Sequence, residues 1–562
     1  MSICNRPSRC VRVGLVVDGP TVPAWVARIV RDIRESTVAK LSLVVMVKRP
    51  RSARRTRLYD LYTRLDARKF GPPTDPYAPT DLREIAGDVP SLPVVAQSTP
   101  DGDALAEDDV ERLHAVRLDV ALCLRTRPLA GGALEIARHG VWMYQHGDDR
   151  VLRGGPSGFW EVMEGHPTTG ATLRVLTGEP GGRVIYRSSS NTHPISVRVN
   201  QHNSVWQSTA FVIRKLRDLH REGPDALADP EPLVTAAYSG RAYEAPGDAE
   251  MARLVARIAR RYVDRQIRDR IEYRQWALAY RFGEAPAPEK ESVPELVPHE
   301  LRVLRPPRDR FWADPFPVQH LGRHYVLFEE CPYATGTGRI AVMEIAPDGT
   351  TTAPTVVLER PYHLSYPFVF EWQGAHYMIP ESAANATVDL YRATYFPYEW
   401  THERTLLADA PLVDATLAEI GGRWWMFANG PAVREALYDS AWWDELSLYS
   451  ADSPLGPWTP HPRNPVISDV RHARPAGRLF QRDGVWYRPG QNSAGRYGAA
   501  LTIHRITRLD MERYEETPVT TLTPTWEPGL SGIHTINAAS GLTVIDVALR
   551  RWRVPFVRSG PR

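Results

Sequence analysis

Two aspartates, Asp314 and Asp414, stand at the same offset from a turn glycine in two copies of one repeated segment, and Glu381 closes a strand in the copy between them. A reaction at a glycosidic bond needs two carboxyl groups flanking that bond, one to protonate the leaving oxygen and one to act as base or nucleophile. Glu330, in FEECP, is a further carboxyl of the same set. Arg488, Gln491, His534 and Asn537 are of types that bind hydroxyls or a phosphate, and Trp312, Tyr366, Trp424 and Trp425 of types that stack on a sugar face.

These residues lie far apart in sequence, so a fold must bring them together. Ala313–Glu330, Ser365–Ser382, Val413–Asn429 and Pro475–Gln491 each hold an apolar run, a turn glycine (Gly322, Gly374, Gly422, Gly484) and a second run rich in Tyr, Trp and Phe. That is two strands joined by a tight turn. Asp314, Tyr366, Asp414 and Ala476 share one register, and GIHTINAASGLTVIDV is a fainter fifth copy around His534 and Gly541. A repeat of about 50 residues made only of short strands predicts a propeller blade. The repeats therefore predict a five-bladed propeller, whose innermost strands bring the registered residues to one channel mouth.

The first half reads differently. Val11–Val17, Leu41–Val47 and Leu118–Leu124 are buried strands by their β-branched runs, with a helix over Trp25–Ile33, which is a right-handed βαβ unit in a parallel sheet. The basic, Pro-rich excursion from Arg49 to Pro90 reads as a solvated insertion as readily as a binding loop. Apolar steps from Met251 to Ile271 predict one helical stripe, expected to pack between two domains. The expected organisation is multidomain: an α/β domain with a Rossmann-type parallel sheet over 1–222, a linker with an amphipathic helix over 223–289, and an all-β propeller over 290–562.

Residues 11–220 resemble the folate-dependent formyltransferases, on Gly140, His146, Arg153-Gly154, Trp160 and Thr169-Gly170-Ala171-Thr172. In that family an Asn, a His and an Asp do the chemistry. Here Tyr144 stands at the Asn position, Pro180 at the Asp position with Glu179 beside it, and only His146 matches. A lost acid–base partner costs about 10²–10⁴ in rate, so the resemblance implies a degenerate site, with 10-formyltetrahydrofolate as cofactor only if that domain is active.

WADPFP and SPLGPWTPHPRNPV resemble the five-bladed propellers of the arabinanase, xylosidase and levanase type. FWADPF, PES, DATL, RPGQ and GIHTIN together resemble the N-terminal domain of plant glucosamine inositolphosphorylceramide transferases, over about 290–557. The hydrolase resemblance implies Asp314 as base, Asp414 as the orienting residue and Glu381 as acid, with Glu330 the second choice. The expected function is transfer or hydrolysis of a glycosyl group at the propeller mouth. The alternatives are a sugar N-formyltransferase whose propeller binds the acceptor, and a non-catalytic glycan-binding scaffold. Asp314, directly before Pro315, is expected to be held in extended backbone.

Composition narrows the classes. The 562 residues carry a net charge of only +3, which gives no pull toward nucleic acid. No apolar run approaches the roughly 20 residues of a membrane span. Cys4, Cys10, Cys123 and Cys331 have neither metal nor disulfide spacing, and His193, His202 and His220 lack zinc-ligand spacing. The N-terminus leads into a strand without a signal-peptide pattern. The expectation is a cytoplasmic protein with no resident metal and a carbohydrate or sugar-nucleotide ligand.

Overall fold

The computed structural model describes residues 10–48, 57–71, 74–147, 153–178, 182–228, 242–283, 300–430 and 443–553. The chain forms two compact units that part between Ala259 and Arg260. Among the described residues, no helix is long and apolar enough to cross a membrane.

The first unit is built on a nine-stranded sheet. Its parallel core is Ser91–Thr99, Ala39–Lys48, Val11–Val17, Val120–Cys123 and Val141–His146, in that spatial order. Thr168–Val175 and Arg183–Asn191 continue it antiparallel. The helix Ala24–Glu35 buries Val26, Ala27, Ile29, Val30 and Ile33, the spacing of a one-sided apolar face, against this sheet. The chain leaves Val11–Val17 for Ala39–Lys48 on one side and returns to Val120–Cys123 on the other, so the strand order reverses there. Such a reversal opens a crevice at the carboxyl ends of the strands.

The excursion after Lys48 is not simply a solvated insertion. Its described part holds the helix Arg57–Lys69 and the helix Leu82–Ala86. Asp66 is buried and accepts the Arg198 backbone N–H at 2.8 Å. The stripe on the helix Asp248–Ile271 is buried only in its first turns, where Met251, Leu254 and Ile258 pack on Phe159, Trp160, Val162 and Met163. Val255, Val263, Ile267 and Ile271 are exposed, so the stripe is not the continuous packing surface expected of it.

The second unit is a five-bladed propeller. Blades one to four run antiparallel from Arg310–His320, Ser365–Trp372, Val413–Ile420 and Phe480–Arg482 outward. Blade five is assembled from both ends of the segment. Ile536–Ala539 and Leu530–Gly532 pair with Leu542–Trp552, which pairs with Glu272–Phe282, which pairs with Arg302–Leu304. Glu272–Phe282 lies inside the stretch read as linker, and follows the helix ending at Ile271 without an intervening residue. Aromatic and aliphatic side chains fill the wedges between blades, with Phe316, Tyr366 and Phe368 joined to Leu417, Met426 and Trp458.

Candidate functional site

Each of the first three inner strands carries a bulge at the registered position. The ladder register shifts between Ala313 and Phe316, between Ser365 and Phe368, and between Val413 and Thr416. The residue pushed out of the ladder takes left-handed backbone: Asp314 with φ 52°, Tyr366 with φ 42° and Asp414 with φ 56°. This corrects the expectation of an extended Asp314. The bulge overrides the bias of the following proline, and such conformations cost about 1–3 kcal/mol each away from glycine. Blade four has Ala476-Gly477 there because the blade-five backbone presses in: a Cβ on Gly477 would lie 2.0 Å from the Ile536 carbonyl oxygen.

The five blades send side chains to one buried polar cluster. From blade one, Asp314 Oδ1 accepts the Thr535 hydroxyl at 2.7 Å and lies 3.2 Å from His534 Nε2. Blade five supplies that histidine and Asp546, whose Oδ1 accepts the backbone N–H groups of His534 and Thr535 at 2.9 and 3.0 Å. Asp546 Oδ2 accepts the Asp314 N–H at 3.0 Å. From blade three, Asp414 is paired with Arg474 of blade four through Nε and, at 3.3 Å, Nη2, and accepts from Gln491 Nε2 at 3.1 Å. From blade two, Glu381 accepts the Ser365 hydroxyl at 3.0 Å and lies 3.7 Å from Arg474 Nη2. Arg474 thus stands beside two of the four carboxyl groups, Asp414 and Glu381.

The environments push these groups apart. Burial and the Asp414 charge raise Glu381 to about 8, against the opposing Arg474 and His363, so it carries a proton at neutral pH. Burial acts to raise Asp314 too, but the His534 imidazolium and the hydrogen bonds from His534 and Thr535 outweigh it and hold Asp314 below the ordinary range. Burial lowers His534, yet Asp546 and Asp314 lift it to about 10. Burial raises Asp414 while Arg474 opposes. One protonated and one ionised carboxyl in the same mouth is the division of labour that acid–base chemistry at a glycosidic bond requires.

Other expected residues stand elsewhere. Arg488 is fully buried in blade four, with Nε and Nη2 on the Glu516 carboxylate at 2.8 and 2.6 Å and Nη2 on the His472 carbonyl at 2.7 Å, so it binds blade to blade-end rather than ligand. Glu330 is held by Trp312 Nε1 at 3.2 Å, Arg339 at 2.8 Å and Arg310 at 3.2 Å. Those hydrogen bonds overcome the effect of burial and hold its carboxyl below the ordinary range, the opposite of the direction that a proton donor needs. Trp312 is correspondingly buried, as are Tyr366 and Trp425, while Trp424 packs near Phe370. The Tyr366 hydroxyl accepts the Gly477 N–H at 2.8 Å and meets Thr416 Oγ1 at 2.8 Å, so it is a tie between blades and not a sugar platform. Asn537 donates to the Pro315 carbonyl at 2.8 Å and accepts the Arg478 N–H at 2.8 Å, also a tie.

Four residues of the cluster escaped sequence reasoning. Arg474 stands two positions before the registered Ala476 and Asp546 in TVIDV of the faint fifth copy, where the repeat itself offered a signal. Tyr497 joins the cluster, its ring 5.1 Å from that of His534 and 5.1 Å from the Arg474 guanidinium; nothing in its loop announced it. Glu329 was passed over for its neighbour Glu330. Its Oε1 lies 3.2 Å from His363 Nε2, whose Nδ1 accepts the Gly338 N–H at 3.0 Å.

In the first unit a cavity of about 890 Å³ opens at the strand-order reversal, lined by Trp25, Tyr77, Arg125, Tyr144 and His146 among others. The Tyr144 hydroxyl donates to the Ser208 carbonyl at 2.7 Å, and its ring stacks on His146 at 5.6 Å. His146 Nε2 lies 3.0 Å from Ser208 Oγ, and burial pushes the imidazole down to about 4. Tyr144 therefore has no proton to offer a ligand in the cavity. Glu179, Pro180 and the stretch 148–151 lie outside the described residues.

Residues 305–531 match the sequence family described as "Glucosamine inositolphosphorylceramide transferase 1, N-terminal". Over 212 residues the chain is 39% identical to glucosamine inositolphosphorylceramide transferase 1 of Oryza sativa subsp. japonica and 35% identical to that of Arabidopsis thaliana. Those alignments cover 37% of this chain but only 28% and 27% of the plant proteins. Among solved structures the chain is similar to Zg3597, a family 117 glycoside hydrolase of Zobellia galactanivorans, with 16% identity, a TM-score of 0.31, and 43% of this chain and 85% of that chain covered. It is also similar to glycinamide ribonucleotide transformylase 1 of Symbiobacterium toebii, with 15% identity, a TM-score of 0.25, and 40% and 90% covered.

Proposed function

We propose that this is a carbohydrate-active protein that transfers or hydrolyses a glycosyl group at the propeller mouth. The observation that carries the reading is the convergence of Glu381 and Asp414 on Arg474 with Asp314, held by His534 and Thr535, in one polar cluster. Glu381 gives its proton to the leaving oxygen, and the resulting carboxylate is met by Arg474 at 3.7 Å. Asp314 acts on the opposite partner, as base toward water or an acceptor hydroxyl or as nucleophile toward the sugar carbon. His534 and Thr535 fix its carboxylate. Asp414 keeps Arg474 in place and, through its charge, helps keep Glu381 protonated. The match to a family described as a glucosamine inositolphosphorylceramide transferase supports a carbohydrate substrate.

The test is turnover by the full chain on panels of chromogenic glycosides and sugar nucleotides, with Asp314→Asn and Glu381→Gln beside it. Activity that survives in the double variant would remove these residues from the chemistry. A second reading, a glycan-binding scaffold without turnover, is favoured by the burial of the Asp314 and Asp414 side chains, only 6% and 1% exposed. It predicts glycan binding that both variants leave intact and no turnover on either panel.

A further inference from the structure

Arg274 and Arg550 stand directly opposite each other across the two long strands of blade five, and both are exposed. Directly opposed side chains share a face of the sheet, and like charges there repel. Among the described residues no carboxylate lies within ion-pair distance of either. Arg496 joins them on a loop seated over the same face: a Cβ on the neighbouring Gly498 would lie 2.7 Å from the Trp276 ring. The Tyr497 and Ser531 carbonyls each accept from Arg274 Nη2 at 3.5 Å. Arg496 is exposed as well, and partial desolvation, followed by the charges of neighbouring arginines, lowers Arg274 and Arg496 from the usual guanidinium value.

The patch adjoins the candidate site. The Arg274 guanidinium lies over the Trp276 ring at 5.4 Å, and that ring lies 4.2 Å from His534, the partner of Asp314. Three guanidinium groups gathered with no counter-charge among the described residues repel one another, and a bound anion would offset that repulsion. Guanidinium forks match the tetrahedral oxygens of phosphate in paired hydrogen bonds.

We propose that Arg274, Arg496 and Arg550 bind a phosphate group on a ligand presented at the propeller mouth. The phosphate belongs either to a soluble sugar phosphate or to a lipid headgroup. The site stands without the glycosidic reading, because binding is measured without turnover.

The experiment is isothermal titration of the full chain with inorganic phosphate and pyrophosphate, at constant ionic strength and with chloride as the comparison. Both phosphates are expected to bind, and Arg274→Gln and Arg550→Gln each to weaken binding about tenfold or more. Arg550→Lys keeps the charge but loses the fork and falls between. Arg482→Gln, at the exposed end of the inner strand of blade four, leaves binding unchanged. The Arg550 side chain makes no hydrogen bond among the described residues, so Arg550→Gln keeps the fold and does not lower the melting temperature. Flotation with phosphatidylcholine vesicles, with and without a phosphoinositide, separates the sources: capture by the phosphoinositide assigns a lipid headgroup, and titration without capture assigns a soluble phosphate. Phosphate behaving like chloride, or both glutamine variants binding as the native chain does, overturns the proposal.

Discussion

Asp314 and Asp414 occupy the same bulge of blades one and three and take the same left-handed backbone, with φ of 52° and 56°. Aspartate is among the few residues that enter this region readily. The shared conformation lifts each carboxyl out of the ladder, but the two then meet opposite partners. Asp314 meets the cation of His534 and Asp414 meets that of Arg474. The pair is therefore one backbone device used twice with different electrostatic settings.

Asp314→Asn should lower turnover by at least about 10²-fold. It should also lower the melting temperature, because the buried His534 imidazolium loses one of its two carboxylate partners. His534 should then titrate below its native value of about 10, which NMR of the imidazole reads directly. Since Asp314 is held below its unfolded value of 3.8, its contribution to stability is present above that pH and is lost as the pH falls through the lower folded value. The variant should show no such loss.

Glu381 gives the opposite sign. Its folded value of about 8 lies above the unfolded 4.5, so the native state holds the extra proton between those limits and stability falls as pH rises through them. Glu381→Gln, which keeps the neutral shape, should melt higher than the native protein above about pH 5, with a gap that widens toward pH 8. The alkaline limb of the activity profile should sit near 8 in the native protein and vanish with the residual activity of the variant. Melting curves and rates across pH measure both.

Arg488→Gln should destabilise the propeller by about 3–5 kcal/mol, because it strands the buried Glu516 carboxylate. Denaturant unfolding gives the figure. Ligand affinity at the mouth of the folded variant should not change.

The first unit should show no formyl transfer from 10-formyltetrahydrofolate to amino-sugar nucleotides. Tyr144 spends its hydroxyl on the Ser208 carbonyl and supplies no oxyanion donor. A formylation assay on the full chain, with His146→Ala as control, checks this; product that disappears in the control would reverse the expectation.

The repeat was legible because strand, turn glycine and second strand recur in order, and with it came the blade count and the convergence of Asp314, Glu381, Asp414, His534 and Gln491. What each residue touches was not legible. Arg488 and Arg474 look equally available in sequence, and only the register of blade four turns one toward Glu516 and the other toward Asp414. Glu329 and Glu330 point to opposite faces of one strand, a difference of one position in a two-residue period. The bulges hid Asp314's true backbone, since a pre-proline residue reads as extended until its strand partner is known. Glu272–Phe282 was missed because its partner, Leu542–Trp552, lies at the far end of the propeller segment.

That last pairing bears on how the chain is made. During synthesis Glu272–Phe282 emerges from the ribosome long before Leu542–Trp552, so for most of translation it presents an open strand edge with no native neighbour, a surface on which chains associate wrongly. The ring cannot lock, and the Asp546 contacts that set Asp314 and His534 cannot form, until nearly the whole propeller segment has left the exit tunnel. The mouth is the last feature of the propeller to come into being.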